Sequence, residues 1–260
     1  MLTKIKTIQL LDITIQNRKA FLFTIKKYVV EFALKKQELF LAMGYDAQYF
    51  HKDDQSKEKK PTVLIHSLEK EGFFSIRAYT QKGIDTLNFW FQLFQKEYPK
   101  YCINIIQSEE VFEYKIIDKP ITYNSINWIP FRNVVQEKGV YLDKDKQEKI
   151  DQKLFISRLT ANLLTFIGNL SLDTKTIRFN LKLNKVPIKH KSILALQTKE
   201  KGTLLNVKKY AFQVNFTINV QLPSSFSLGQ NVAYGNGVFN RIVERTTKNE
   251  KKNPKSNKKT

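Results

Sequence analysis

Alternating apolar and polar residues predict the strands of the N-terminal half, and apolar residues three or four positions apart predict its helices. The predicted strands span 5–15, 62–68, 73–79, 101–107 and 111–117, and the predicted helices span 18–43 and 80–97. Gly44 is a plausible end for the first helix, because glycine is common where helices stop. The last two strands are compatible with one hairpin. The order β-α-β-β-α-β is the plan of the ferredoxin-like fold.

The second half repeats this plan more loosely. Strands are predicted over 121–131, 177–186, 192–196, 204–208 and 210–222, and one helix over 146–172. The strict alternation in 210–222 predicts a strand with one dry and one wet face. Pro120 suggests the joint between the halves. The pattern therefore predicts an α+β protein of two tandem ferredoxin-like, RRM-like domains, covering 1–119 and 120–244.

The composition adds enough material for a core and a strong positive charge. Hydrophobic residues make up 42% and aromatic residues 12% of the 260 residues, which is typical of a folded chain. Lys and Arg number 44 against 24 Asp and Glu, a net charge of +20 that favours nucleic acid as the partner, with an anionic membrane second. Residues 245–260, with seven basic residues and one acidic residue, predict a disordered basic tail.

Two further features bear on the compartment. No apolar run approaches the roughly 20 residues that a membrane-spanning helix needs, and no secretory signal is expected. Cys102 is the single cysteine, which excludes an internal disulfide and fits a reducing cytoplasm. Its place in an apolar run predicts a buried small side chain rather than a nucleophile. We therefore expect a cytoplasmic protein with no membrane partner.

Three of the nine glycines lie in the segment 227–237, the glycine loop, which follows the long alternating strand. Glycine allows a positive φ and a close approach to a ligand, and free backbone N–H groups in such a loop bind anions. Given the net charge, we expect this anion to be a nucleic-acid phosphate. The loop residues predicted to contact RNA are Gly229, Gln230, Asn231, Tyr234, Gly235 and Gly237. The other interpretation is a hairpin turn that merely returns the chain to the sheet.

Lysines that flank the loop in the predicted fold are candidates for further phosphate contacts. They are Lys59, Lys60, Lys189, Lys191, Lys208 and Lys209. Many of the remaining lysines are expected only to solvate helix faces. Tyr45, beside the end of the first helix, is compatible with stacking on a base, although packing is the commoner role for an aromatic residue there.

Several short segments, in the same order along the chain, resemble the RAMP superfamily. They are Phe50-His51-Lys52, the strand pair 61–65 and 73–79, Asn127-Trp128-Ile129-Pro130-Phe131, Asn162 and Gly168-Asn169 in the long helix, and Leu222-Pro223 before the glycine loop. Within that superfamily the chain is similar to the CRISPR-associated endoribonucleases that cut precursor CRISPR RNA at its repeats. The loop departs from the family pattern, because Ser227 replaces its first glycine and Gln230 stands where relatives often carry a basic residue.

The resemblance implies a metal-independent endoribonuclease in which the RNA's own 2′-OH attacks the adjacent phosphorus. Such cleavage needs alignment, a base for the 2′-OH, an acid for the departing 5′-oxygen and positive charge for the transition state. His51 follows the first helix as the family's histidine does, which makes it the candidate general acid or base, with Lys52 or Tyr45 as helpers. No cofactor and no metal site is expected, and the expected partner is CRISPR repeat RNA.

The other two histidines have plainer interpretations. His66 shares strand parity with Leu64 and Leu68, which favours a packed or sheet-face histidine. His190 lies between Lys189 and Lys191, where neighbouring charges disfavour its protonation, so a solvated side chain or an RNA-backbone contact is the expectation.

Two other functions stay open. The first is a catalytically inactive RNA-binding subunit that holds CRISPR RNA in an effector complex with other subunits. The altered loop and the lack of a second histidine near His51 favour it. The second is a general RNA-binding ferredoxin-like protein with no link to CRISPR.

Overall fold

The computed structural model describes residues 2–14, 16–45, 47, 50, 63–68, 73–131, 140–142, 148–170, 178–198, 204–230, 232 and 236–243. Two main antiparallel sheets with helices give the α+β architecture that the sequence predicts. The predicted basic tail, 245–260, lies outside the described residues. Within the described ranges, no helix has both the length and the apolar character needed to cross a membrane.

The first sheet has the strand order of a ferredoxin-like domain, β2-β3-β1-β4, with all neighbouring strands antiparallel. Its strands are β1 (Leu2–Leu10), β2 (Val63–Leu68), β3 (Phe73–Tyr79) and β4 (Ile105–Glu113). The predicted hairpin within 101–117 is wrong, because 105–113 forms a single strand that pairs with β1 along its whole length.

Helices cover one face of this sheet. They are α1 (Arg18–Thr24), which continues as a π-helix (Ile25–Glu31) and as α2 (Phe32–Lys35), then α3 (Gln37–Ala42) and α4 (Gln81–Glu97). The first predicted helix is therefore present but irregular, with a π-helical stretch and a break at Lys36. Gly44, with a φ of 75°, follows the end of α3 as predicted.

The first core lies between these helices and the sheet and is rich in aromatic residues. Trp90 and Phe94 stack with their ring centroids 4.8 Å apart, and Phe32 meets Trp90 edge-on at 6.2 Å. Ile8 and Ile76 contribute from the strands, and both are fully buried. Burial of each large apolar side chain contributes about 1.5–3 kcal/mol, so this core stabilises the irregular first helix through packing.

The second sheet carries the C-terminal half in the order β11-β12-β5-β10-β8, and β9 also pairs with β10. Its strands are β5 (Ile116–Trp128), β8 (Leu181–Leu183), β9 (Ile188–Thr198), β10 (Leu204–Val220), β11 (Ser225–Ser227) and β12 (Val238–Arg241). The predicted break between 204–208 and 210–222 is wrong, because β10 stays paired with β9 through it, with only a register shift between Tyr210 and Ala211.

One long helix, α5 (Gln152–Asn169), packs on this sheet. It begins later than predicted, because residues 148–150 form a short strand, β7 (Glu148–Ile150), paired with β6 (Val140–Leu142). The Asp151 carboxylate caps the helix by accepting a hydrogen bond of 3.0 Å from the Leu154 N–H. Among the described residues between β10 and β12 there is no second α-helix; β11 and the glycine loop lie there instead.

The chain crosses from the first sheet to the second at Tyr114 and Lys115, and Pro120 lies within β5. The two halves share a core: Ile5, Tyr79 and Phe112, from the face of the first sheet opposite its helices, pack in the second core. The Tyr79 ring meets Phe166 of α5 edge-on at 5.4 Å. The two ferredoxin-like units are therefore in direct contact.

Candidate functional site

The glycine loop is attached to the end of β5 by main-chain hydrogen bonds. The Leu228 N–H donates to the Gly237 carbonyl at 2.9 Å, which closes the loop on itself. The Gln230 N–H donates to the Ile129 carbonyl at 2.9 Å. The Gly237 N–H donates to the carbonyl and to the Oδ1 of Asn127, each at 3.1 Å. The expectation of free N–H groups is therefore wrong at Leu228, Gln230 and Gly237, because their donors are used within the protein.

Two glycines of the loop have backbone conformations that side chains rarely adopt. Gly229 has a φ of 94° and Gly237 a φ of 66°. A Cβ atom added to Gly229 would lie 2.6 Å from the Ile129 carbonyl oxygen and 2.9 Å from Cδ1 of Trp128. A Cβ atom at Gly237 would overlap the Leu228 carbonyl oxygen. Gly229 is therefore required by close packing of the loop against the end of β5, and Gly237 by close packing within the loop itself. RNA contact by these two glycines stays a prediction.

A buried tryptophan packs against the glycine loop. Trp128 is fully buried and meets Phe155 and Phe239 edge-on at 5.8 and 6.3 Å. Asn236, the polar residue just before Gly237, is also fully buried. Asn231, Tyr234 and Gly235 lie outside the described residues. The described part of the loop is thus packed against a buried aromatic cluster.

The strand leading into the loop is tied to the N-terminal half. The Ser225 carbonyl accepts a hydrogen bond of 2.7 Å from the Arg77 guanidinium and one of 3.3 Å from the Tyr79 hydroxyl. Arg77 also lies 3.6 Å from a carboxylate oxygen of Glu110. Burial raises the pKa of Tyr79, which therefore stays a neutral donor. Sequence reasoning missed Arg77; its one signal is a charge that shares strand parity with Tyr79.

The candidate catalytic segment starts from a buried anchor on the N-terminal half. Ala47 and Phe50 are buried, and the Phe50 ring lies 6.2 Å from Phe40 and 5.8 Å from Trp90. His51 and Lys52, which follow Phe50 directly, lie outside the described residues. The Tyr45 ring packs against Phe89 at 5.4 Å. Packing is therefore the role that the structure gives Tyr45, and its catalytic role stays a prediction.

Four of the six candidate phosphate-binding lysines lie in described strands. Lys59 and Lys60 lie outside the described residues. Lys189, Lys191 and Lys208 lie in β9 and β10, two strands that pair with each other. Lys209, also in β10, is only 4% exposed. Its assignment as a surface phosphate contact is therefore contradicted by its burial.

The class of protein that the fold defines is a pair of ferredoxin-like units with a glycine loop between the third and fourth strands of the second unit. A crystal structure of a CRISPR RNA processing endoribonuclease, Cas6b, superimposes on it with a TM-score of 0.59 at 16% identity, over 93% of this chain and 100% of the other. Another Cas6b crystal structure gives a TM-score of 0.55 at 17% identity over the same shares. Csf5, a type IV Cas6 crRNA endonuclease, gives 0.51 at 11% identity, over 94% of this chain and 100% of the other.

These likenesses concern three-dimensional structure. No protein-family profile matches the sequence, and no curated protein sequence matches it. The chain therefore has the fold of these Cas6 proteins, with little sequence identity to the solved examples. The resemblance drawn from the sequence is confirmed at the level of the fold.

Proposed function

We propose that this protein is a metal-independent endoribonuclease that binds the repeat of precursor CRISPR RNA and cuts within it. The observation that supports this most is the glycine loop, which lies between the third and fourth strands of the second unit and packs against Asn127, Trp128 and Ile129. The chain shares its fold with proteins named as CRISPR RNA processing endoribonucleases. Fold and loop together favour RNA processing over the other functions that this fold supports.

The proposed chemistry uses the RNA's 2′-OH as the nucleophile. It would leave a 2′,3′-cyclic phosphate or a 3′-phosphate on one product and a 5′-hydroxyl on the other. His51 is the proposed general acid or base, with Lys52 or Tyr45 as helpers. Phe50, the residue immediately before His51, is buried in the first core.

The proposed binding mode relies on phosphate contacts along a basic surface. The net charge of +20 and the lysines of β9 and β10, Lys189, Lys191 and Lys208, support it. Affinity should fall with salt, with a log–log slope of about −0.7 for each phosphate contact to a single strand. A nearly flat salt dependence would contradict this mode of binding.

The decisive experiment combines the purified chain with a CRISPR repeat RNA from its own genome, in the presence of a chelator. Cleavage should occur at one position, and a single 2′-deoxy substitution there should block it. His51→Ala should slow cleavage by about a hundredfold or more while leaving RNA affinity nearly unchanged. His66→Ala and His190→Ala are the matched controls, since they remove the only other histidines.

Two outcomes would contradict this proposal. Cleavage at the wild-type rate by His51→Ala would remove that residue from the mechanism. Cleavage that requires a divalent metal would exclude the metal-independent reaction.

The second candidate is the inactive RNA-binding subunit, and Ser227 favours it. Ser227 stands where the family pattern has its first glycine; it is 4% exposed, and its hydroxyl has no hydrogen-bond partner among the described residues. A side chain at this position changes the packing of the loop's first residue. Tight binding of repeat RNA without cleavage, over hours and with or without metal, would select this second function.

A further inference from the structure

A group of aromatic and basic residues lies on the helix layer of the N-terminal half, apart from the glycine loop. This Tyr–Lys cluster consists of Phe23, Lys27, Tyr28, Lys100 and Tyr101. Its members come from α1, from the π-helix and from the 3₁₀ turn Pro99–Tyr101 after α4. The two tyrosines pack on the first core, on the helix side of the first sheet. The opposite side of that sheet contacts the C-terminal half.

The cluster brings two ammonium groups close to a pair of hydroxyls. The Tyr28 and Tyr101 hydroxyl oxygens lie 3.2 Å apart. Lys27 Nζ lies 5.1 Å from the Tyr28 ring centroid, and Lys100 Nζ lies 4.9 Å from that of Tyr101. The hydrogen bond from Tyr28, together with the nearby Lys100 and Lys27, lowers the pKa of Tyr101. The ammonium groups of Lys27 and Lys100 place positive charge beside the two tyrosines, which favours an anion there.

The two lysines have no carboxylate partner in the described part of the chain. Their neighbour Lys36, by contrast, forms an ion pair of 2.9 Å with Glu97. Lys27 and Lys100 are both exposed, and each faces an aromatic ring instead. An exposed cation–π contact contributes only about 0.5–1 kcal/mol, so it does not prevent the ammonium from binding an anion.

An exposed aromatic ring completes the cluster. Phe23 is 61% exposed and is the one aromatic residue among the exposed large apolar side chains of the described residues. Lys27 Nζ lies 5.8 Å from its ring centroid. An accessible ring face beside ammonium groups is the arrangement that binds single-stranded nucleic acid by stacking and phosphate contact. Lys27 and Tyr28 also lie in a π-helix, a rare conformation that is frequent at functional sites.

We propose that the Tyr–Lys cluster is a second RNA-binding site, which stacks one base of a single strand on Phe23 and binds the adjacent phosphate between Lys27, Lys100 and the Tyr101 hydroxyl. In naming RNA as the ligand, this rests on the proposed function. Because the cluster lies on the far side of the first sheet, it would hold a single-stranded flank of an RNA whose repeat is bound elsewhere. Its occupancy does not depend on His51 or on cleavage.

The test measures fluorescence anisotropy of a labelled oligouridylate of about 15 nucleotides, titrated with the full chain at several salt concentrations. Replacing Lys27 and Lys100 together with Gln should weaken binding about tenfold and make the log–log salt slope shallower by about 1.4, or 0.7 for each contact. Phe23→Ala should weaken binding about fivefold or more, because one stacked base is lost.

Matched controls come from the same helix layer. Replacing the exposed Lys35 and Lys96 together with Gln removes the same charge outside the cluster, and Leu41→Ala removes an exposed apolar side chain. These variants should bind the oligouridylate like the wild type. Ultraviolet crosslinking of the bound oligouridylate should label peptides that contain Phe23 or Tyr101.

Wild-type affinity in the Lys27 and Lys100 double variant, with normal thermal unfolding, would overturn the proposal. A second result would also overturn it: polyglutamate binds the cluster as tightly as the oligouridylate does, and Phe23→Ala has no effect. That result would identify a surface that binds acidic proteins. Cleavage of repeat RNA without any effect of the cluster variants sinks this proposal alone. Loss of oligouridylate binding in the variants supports the cluster even where the chain cuts no repeat.

Discussion

In both halves of the molecule, a side chain near the end of the first strand (β1 or β5) accepts a hydrogen bond from the main chain just before the fourth strand (β4 or β12). The two accepting groups differ in charge. In the N-terminal half, Asp12 Oδ2 accepts hydrogen bonds from the N–H groups of Ile103 and Asn104, at 2.8 and 2.7 Å. In the C-terminal half, Asn127 Oδ1 accepts one from the Gly237 N–H at 3.1 Å. A carboxylate beside the glycine loop would repel phosphate, whereas an amide does not. The neutral acceptor therefore stands where RNA is proposed to bind.

The halves differ again between their third and fourth strands. In the first half α4 lies there and buries a row of apolar residues that includes Trp90 and Phe94. In the second half β11 and the glycine loop lie there, and the stacked rings of Phe226 and Phe239, 5.8 Å apart, close the core. A helix satisfies its own backbone groups and presents side chains to a ligand. In the glycine loop, Gly229 and Gly237 instead let the main chain pack closely on the Ile129 and Leu228 carbonyl groups.

The largest expected effects compare the two fully buried tryptophans. Trp90→Ala and Trp128→Ala should each lower the free energy of unfolding by about 3–5 kcal/mol, measured by urea denaturation. Only Trp128 lies against Gly229, so Trp128→Ala should also weaken RNA binding at a temperature where both variants are folded. An equal loss of affinity in the Trp90 variant would show that the loop has no special role in binding.

The next prediction separates two reasons for a glycine, the lack of space for a Cβ atom and the positive φ. Gly237→Ala should cost about 2–4 kcal/mol of unfolding free energy, because a positive φ is combined with overlap on the Leu228 carbonyl. Gly44→Ala, at a similar φ but with open space around it, should cost about 1 kcal/mol. Thermal and urea unfolding of the pair provide the measurement. Equal costs at the two positions would mean that the loop repacks around a methyl group.

Local pattern predicted the N-terminal half better than the joints between strands. The strand over 73–79 is found as predicted, and the helix predicted over 80–97 is α4, because each depends on a short-range period. The contact between Asn127 and Gly237 joins residues 110 positions apart. No short window of sequence contains both partners, so a local pattern cannot predict this contact. The family resemblance singled out residues 127–131 but did not show what they contact.

The candidate site was less predictable than the fold for a related reason. Glycine spacing indicated a special loop, but which N–H groups stay free depends on distant carbonyls, those of Asn127 in β5 and of Ile129 just after it. Lys209 has the sequence context of a surface lysine, yet its strand position buries it. The Tyr–Lys cluster combines residues from positions 23–28 and 100–101, which only the packing of α4 brings together.

A charge placed at position 127, where the side chain accepts the Gly237 N–H, tests the comparison between the halves directly. Asn127→Asp keeps the acceptor for the Gly237 N–H and adds a carboxylate beside the glycine loop. RNA binding should weaken by about 1 kcal/mol, or about fivefold, as expected for one charge several ångströms from a phosphate near the protein surface. Gln95→Glu, on the exposed face of α4, adds the same charge elsewhere and should have little effect. Equal affinities of the two variants would separate the loop from the phosphates.

The smallest expected effect is the pH dependence of the contact that Asp12 makes with Ile103 and Asn104. Hydrogen bonds from the Asn104 main chain, the Asn104 side chain and the Ile103 main chain lower the pKa of Asp12 below 3.8. A carboxyl group whose pKa is lower in the folded state adds stability above its unfolded pKa, and this stability is lost as the pH falls through the folded value. Asp12→Asn should therefore lower the melting temperature slightly at neutral pH, and the difference from wild type should disappear as the pH falls below about 4.

Asp118→Asn, which removes an exposed carboxylate from β5, is the control and should leave the melting temperature unchanged at both pH values. Because the corresponding acceptor of the second half is the neutral Asn127, that contact should show no such titration. A difference between wild type and Asp12→Asn that stays constant from neutral to acid pH would show that the carboxylate's charge contributes nothing to the contact of Asp12 with Ile103 and Asn104.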